Sequence, residues 1–411
     1  MSHLSTLIRR RRVQVAAQAA CAGILLVAAT AGEAQPPGSL ANAYAFLTER
    51  MDRYAQGGTL RLVQSYVPTA AFSSGDISYT YDDDVMLIAL LARGKPDDVS
   101  RARVLGESLS YAQAHDPAAD GRVRDGYHAK ALVDGHGLPQ IAGETVHTGN
   151  LAWTGIALAQ LYSVTKNFKY LKAALLLANF IQRNFNDARG IGGYTGGFEA
   201  NGKKITYKST EQNIDLYALF TTLAHLTGDD VWKSRAAHAL KMIAAMWDSK
   251  QGFFWIGTGL DGQSINKLDP IPEDVQTWSF LSLHVNQYRR SIDWALANIS
   301  ATSGAFHGLS FAANDRSGVW FEGTAHAADA LALRHLPGDA KMSAQLLGDI
   351  EIGQAHAPNA NGEGIVAASK DGLRTGDGNN DRYYASLHIG ATAWYCLAKQ
   401  RANPFVLLPR R

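Results

Sequence analysis

The sequence predicts an all-α fold, an (α/α)6 toroid of six inner and six outer helices with short β-hairpin loops at its cleft. Helical periodicity runs almost unbroken behind residue 38, and two kinds of helix alternate along it. In one of the two kinds, the polar residues gather in the first turn.

The chain opens on a segment set apart from that pattern. Arg9, Arg10, Arg11 and Arg12 form a basic stretch, residues 13–31 are apolar and small, and Ala29-Thr30-Ala31 or Gly32-Glu33-Ala34 offers small residues for cleavage. Residues 1–34 therefore read as a signal peptide and residues 35–411 as a single domain, placing the mature protein in the periplasm or outside the cell. The apolar centre, Ile24 to Val27 with alanine flanks, is short and weakly hydrophobic for a membrane span. Of two cysteines, Cys21 lies in this segment and Cys396 in an apolar run, so no disulfide framework or cysteine metal site is expected. Cys396 reads as a small buried residue.

After Pro36-Pro37-Gly38 come amphipathic helices with charged outer positions. They span Ala41–Tyr54, Val99–Ala114, Phe168–Arg183, Val231–Trp247, Arg290–Ile299 and Ala340–Gln354. Apolar residues recur at three- and four-residue spacing in each, giving one buried stripe. Between them lie stretches apolar nearly all round, beginning near Tyr81, Thr148, Ser209, Pro272, Val319 and Tyr384. A helix apolar on every face must be surrounded by other helices, which makes these the inner barrel wall. The repeat of about 45 to 65 residues excludes a short-period solenoid. The glycine- and aromatic-rich runs Gly192–Phe198 and Gly252–Gly257 read as short hairpins or irregular loops.

Composition narrows the function. Net charge is +2 with Lys and Arg scattered, so no basic face argues for nucleic acid. No nucleotide-binding glycine loop, zinc motif or nucleophile elbow is present, and no metal or cofactor is expected. The mouth of the barrel would be lined by the first turns of the inner helices, and carboxylates recur there: Asp82, Asp83 and Asp84; Glu211 and Asp215; Glu273 and Asp274; Glu322. Acidic residues also cap helices and suit the positive end of the macrodipole. Capping does not explain the residues around them. Glu211 and Asp215, Asp274 and Trp278, and Glu322 and His326 each stand four apart on one helix face, and Trp153 follows Asn150 by three. Tryptophan beside carboxylate and amide is how a site grips a sugar, the ring covering the apolar face of the pyranose.

The expected binding residues are Tyr81, Asn150, Trp153, Tyr207, Asn213, Asp215, Trp255, Trp278, Trp320, His326 and His388. Glycoside hydrolysis needs one protonated carboxyl and one ionised carboxylate, and crowded acids in an apolar mouth supply both. Glu211 is the expected general acid and Asp274 the base, with Glu322 and Asp82 the next candidates. Three consecutive aspartates point about 100° apart on a helix and rarely chelate one ion.

The runs Gly149–Trp153, Ser209–Tyr217, Asp274–Trp278, Trp320–Ala325 and His388–Tyr395 resemble bacterial exported proteins of the six-hairpin glycosidase superfamily. The resemblance covers nearly the whole chain after the signal. It departs at Tyr81-Asp82, where Asp83 and Asp84 replace the usual small or apolar residues, so no role carries over to Asp82. The resemblance implies a polysaccharide or oligosaccharide held in a cleft across a toroid, and hydrolases of this superfamily often invert. The toroid hosts other chemistries. The expected function is thus an exported glycoside hydrolase acting on a glucan or exopolysaccharide, most simply as a monomer. Alternatives are a polysaccharide lyase, a sugar epimerase using His326, His388, His147 or His128 as base, and a non-catalytic polysaccharide-binding protein of a secretion system.

Overall fold

The computed structural model describes residues 38–268, 270–376 and 381–409. The expected signal peptide lies outside these residues. Twelve α-helices occur among them. The outer set is α1 (Leu40–Asp52), α3 (Pro96–Ala114), α5 (Phe168–Phe185), α7 (Asp230–Ala245), α9 (Arg289–Asn298) and α11 (Asp339–His356). The inner set is α2 (Thr80–Arg93), α4 (Thr148–Thr165), α6 (Thr210–Thr227), α8 (Asp274–Leu283), α10 (Phe321–Arg334) and α12 (Ile389–Gln400).

The inner helices pack in a closed ring, α2 on α4, α4 on α6, α6 on α8, α8 on α10, α10 on α12, and α12 back on α2. Each inner helix from α2 to α10 also packs on the outer helix that follows it, and α1 closes the circle against α12. Burial follows the sequence pattern. All ten residues of α8 are buried, whereas α5 buries a stripe that includes Tyr170, Leu171, Ala174, Leu177 and Ile181. Local signals set the ends: Ser209 caps α6 by accepting the Gln212 N–H, and Gly228, at φ +73°, ends it in the left-handed conformation.

The barrel is plugged at the C-terminal ends of its inner helices. The chain after α12 runs beneath them, where the Gln160 amide donates to the Val406 carbonyl (2.6 Å) and accepts from the Leu408 N–H (3.0 Å). Phe405 packs on Trp153 (ring centroids 5.1 Å) and Trp278 (5.4 Å), and Trp394 stacks on Trp278 (5.8 Å). This aromatic plug fills the middle of the barrel beneath the N-terminal ends of its inner helices.

At those N-terminal ends the connecting segments form short antiparallel pairs. Ile77–Tyr79 leads into α2, Val146–His147 into α4 and Leu387–His388 into α12. Two sequence boundaries need correction. Helix was expected from Tyr384, but Arg382–Tyr383 pairs with Leu373–Arg374 and Leu387–His388 with Ile365–Val366, so α12 begins five residues later. Trp247 was placed in an outer helix but opens a hairpin with Phe254. Phe198 pairs with Lys204 in a short hairpin, as expected, and also with Val146.

Candidate active site

A cavity of about 530 Å³ opens at the N-terminal mouth of the barrel. Of the sequence-expected residues, Tyr81, Asp82, Asn150, Glu211, Asp274, Trp278, Trp320, Glu322 and His388 line it. Each sits in or just before the first turns of an inner helix, so closing the ring brings them together. Two glycines permit the crowding. A Cβ on Gly149 would stand 3.2 Å from Asp215 Oδ2 and 3.5 Å from Glu211 Oε1. One on Gly390 would stand 2.6 Å from Asp82 Oδ1 and 3.0 Å from Glu322 Oε2.

The carboxyls fall into two electrostatic sets. On the α6–α8 side, burial pushes the Glu211 carboxyl up to about 7, against the opposing charge of His147. Burial, then the charges of Glu211 and Glu273, hold Asp274 far above the ordinary carboxylate range. His147 is itself held by Asp125, at 2.5 Å, which also accepts from the Asn150 amide (2.8 Å).

On α10, next to α8 in the ring, the pattern reverses. Burial would raise Glu322, but the His326 hydrogen bond, the charges of His388 and His326, and the Tyr81 hydroxyl together pull it below its ordinary value. The Tyr81 hydroxyl donates to Glu322 Oε1 (2.6 Å) and accepts from the Trp394 indole N–H (2.7 Å). His388 stands 3.1 Å from Asp82 and 3.5 Å from Glu322. The Ala391 N–H donates to its Nδ1, so the neutral ring carries its proton on Nε2, facing Asp82. Burial lowers its pKa, and the two carboxylates more than reverse that. Tyr66 stacks on the His388 ring at 4.2 Å.

Other expected site residues lie elsewhere, for reasons of helix geometry. Asp215, Trp153 and His326 are one turn deeper than Glu211, Asn150 and Glu322, and all three are buried beneath the cavity. His326 bridges Glu273 (3.1 Å) and Glu322 (3.7 Å) from behind. Trp153 belongs to the aromatic plug. Asn213 points outward and holds the glycine-rich loop, its Oδ1 accepting the Tyr194 N–H (3.0 Å) and its amide donating to the Tyr194 carbonyl (3.1 Å). Trp255 packs on Phe253, and Tyr207 lines an adjoining cavity. Asp83 and Asp84 are structural: Asp83 accepts from the Val63 N–H (2.9 Å) and the Ser78 hydroxyl (2.6 Å), and Asp84 from the Thr154 hydroxyl (2.8 Å). His128 pairs with Asp76 away from the cavity.

Sequence reasoning missed the walls supplied by connecting segments, among them Tyr66, Phe311, Arg382 and Tyr383. Tyr383 stacks on Trp320 at 5.4 Å. No periodicity marks these residues. Glu273 stood out as an acid, but nothing in the chain signalled its pairing with His326.

No family matches the chain by sequence, and no curated protein matches it. Solved structures do. A sugar epimerase from a ruminal bacterium superposes with TM-score 0.64 at 11% identity, covering 88% of this chain and 98% of its own. Cellobiose 2-epimerase from Bacillus thermoamylovorans gives 0.63 at 12%, covering 88% and 98%. A family 76 α-mannanase from Bacteroides thetaiotaomicron gives 0.60 at 10%, covering 89% and 96%. At such identities the likeness is one of architecture: the chain is an (α/α)6 toroid, the fold these sugar-active enzymes share.

Proposed function

We propose that the protein is an exported glycoside hydrolase that cleaves a glucan or other exopolysaccharide, with Glu211 as general acid. The sorting of carboxyls across one cavity carries this reading. Glu211, raised to about 7 by burial, is poised to deliver a proton near neutral pH, and Asp274 shares that protonated side. Of the candidate bases Asp274, Glu322 and Asp82, the reading assigns the role to Glu322, the wall carboxyl held below its ordinary value, with Asp82 beside His388 as its partner. Inversion would require acid and base far enough apart to leave room for a water between them. Trp278, Trp320 and Tyr383 supply faces for the sugar ring.

His388 in the wall favours a second reading, a sugar epimerase, in which it would act as base. Its pKa is raised by Asp82 and Glu322 against burial, which makes it a better proton holder than proton acceptor at neutral pH.

Incubation of the protein with β-glucans, α-glucans, mannans and bacterial exopolysaccharides separates the readings. Hydrolysis yields new reducing ends and products heavier by one water per cut. An isomer of unchanged mass indicates epimerisation, and products absorbing as unsaturated uronates indicate a lyase. Gly390→Ala tests the crowding. A Cβ there would stand 2.6 Å from Asp82 Oδ1 and 3.0 Å from Glu322 Oε2, and displacing both carboxyls should lower turnover about 100-fold. Unchanged turnover would remove these two acids from the chemistry.

A further inference from the structure

Glu211, Asp274 and Phe311 line two cavities. Besides the first, they border a second of about 460 Å³, whose far wall is the hairpin formed by Gly257–Thr258 and Ile265–Asn266. The hairpin is pinned at its base: the Lys208 N–H donates to the Thr258 hydroxyl (2.9 Å), and the Thr206 hydroxyl to the Leu260 carbonyl (2.6 Å). At Gly257 the backbones approach so closely that a Cβ would stand 2.1 Å from the Lys208 carbonyl oxygen.

The lining is that of a sugar site. Tyr207, Ser209, Gln212 and Asn266 offer hydroxyls and amides, and Leu260 leaves 78% of its surface exposed at the rim. Gln212 is only 7% exposed, and its Oε1 is buried without a hydrogen-bond partner. A buried acceptor left unmatched points to a donor from outside the chain. Among the described residues the wall presents no free cation, because the Lys208 ammonium donates to the Arg189 carbonyl (2.8 Å) and lies 3.8 Å from Asp187.

We infer that this second cavity is a glycan subsite for an uncharged sugar unit, so that a chain lies through both cavities with its scissile linkage at Glu211, which lines both. The inference rests on the hydrolase reading for the position of the linkage. It makes the preferred substrate an oligosaccharide with sugar on both sides of the acids, and a monosaccharide glycoside with a small leaving group a poor one.

The test is binding of cello-, malto- and manno-oligosaccharides of one to six units to Glu211→Gln, followed by tryptophan fluorescence or calorimetry. Affinity for one series should rise about tenfold or more once the chain is long enough to enter the second cavity. Two further changes in the same background probe the subsite. Gly259 is not held at positive φ, and a Cβ there would meet nothing closer than 3.6 Å, so Gly259→Trp adds bulk in the wall without backbone strain. Gln212→Ala removes the unmatched acceptor. Either change should abolish the gain with chain length while the affinity for one unit is kept. The same gain in both variants, an affinity independent of length, or no binding at all overturns the subsite. Reducing-end release by the wild-type protein reports on the hydrolase reading separately. Chain-length-dependent binding without cleavage would sink that reading and leave the subsite standing.

Discussion

Glu211→Gln should lower kcat about 10²- to 10⁴-fold on whichever glycan the wild-type protein cleaves, the range ascribed to a positioned general acid. Glutamine keeps the size of the side chain and some of its hydrogen bonding, so substrate affinity should change far less than turnover. The pH profile gives a sharper check. A general acid must carry its proton, and burial raises this one to about 7. In the wild type, kcat/KM should therefore be full on the acid side of that limb and fall as pH rises through about 7. Because Glu211, Asp215 and Asp274 repel one another, the midpoint belongs to the cluster rather than to one residue. His147 supplies an independent lever, since its positive charge lowers the Glu211 pKa. His147→Gln should move the falling limb to higher pH. A limb that stays in place in His147→Gln, or undiminished turnover in Glu211→Gln, assigns the acid role to another carboxyl.

His326→Ala should destabilise the protein by about 3–5 kcal/mol, the cost of stranding buried charge when one partner of an ion pair is removed. His326 is fully buried between Glu273 and Glu322, 3.1 Å from the first and 3.7 Å from the second. Burial lowers its pKa, but hydrogen bonds and charge from those two acids reverse this and raise it to about 9. Burial still outweighs His326 at Glu273, which stays above its ordinary value, whereas Glu322 is pulled below. The histidine pKa is thus higher folded than unfolded, from 6.5 to about 9. Its contribution, on the order of 3 kcal/mol, is complete below pH 6.5 and lost as pH rises through about 9. Melting temperatures at intervals from pH 6 to pH 10 should fall across that window in the wild type. The fall should flatten in His326→Ala. An equal slope in both proteins would show that the histidine is uncharged in the fold.

Much of the architecture was legible in the chain because it depends on local periodicity. The all-round apolar character of Thr148–Thr165 or Asp274–Leu283 states that a helix has neighbours on every side, and a ring of such helices satisfies that demand. Periodicity placed the outer helix starts within a residue of those observed, except at α3, which begins at Pro96 rather than Val99. The boundaries that failed, at Tyr384 and Trp247, failed because strand pairing, with Ile365–Val366 in one case and within a local hairpin in the other, overrode local apolar character.

For the site, the sequence by itself determined which end of the barrel carries the acids: Asp82, Glu211, Asp274 and Glu322 are each in the first turn of an inner helix, and first turns share one mouth. Only the tertiary structure decided what each acid is. Residues four apart share a helix face but differ in depth by a full turn, about 5.4 Å, so Asp215 and His326 sank below the floor while Glu211 and Glu322 stayed in the wall. Protonation depends on neighbours from other helices, brought near only when the ring closes. Glu322 meets Tyr81 and His388 from α2 and the start of α12, and is held ionised. Asp274 meets burial and the charge of Glu211, and its pKa is raised well above the ordinary carboxylate range. Charge acts through space rather than along the chain, and the spacing of residues in a sequence does not contain those distances.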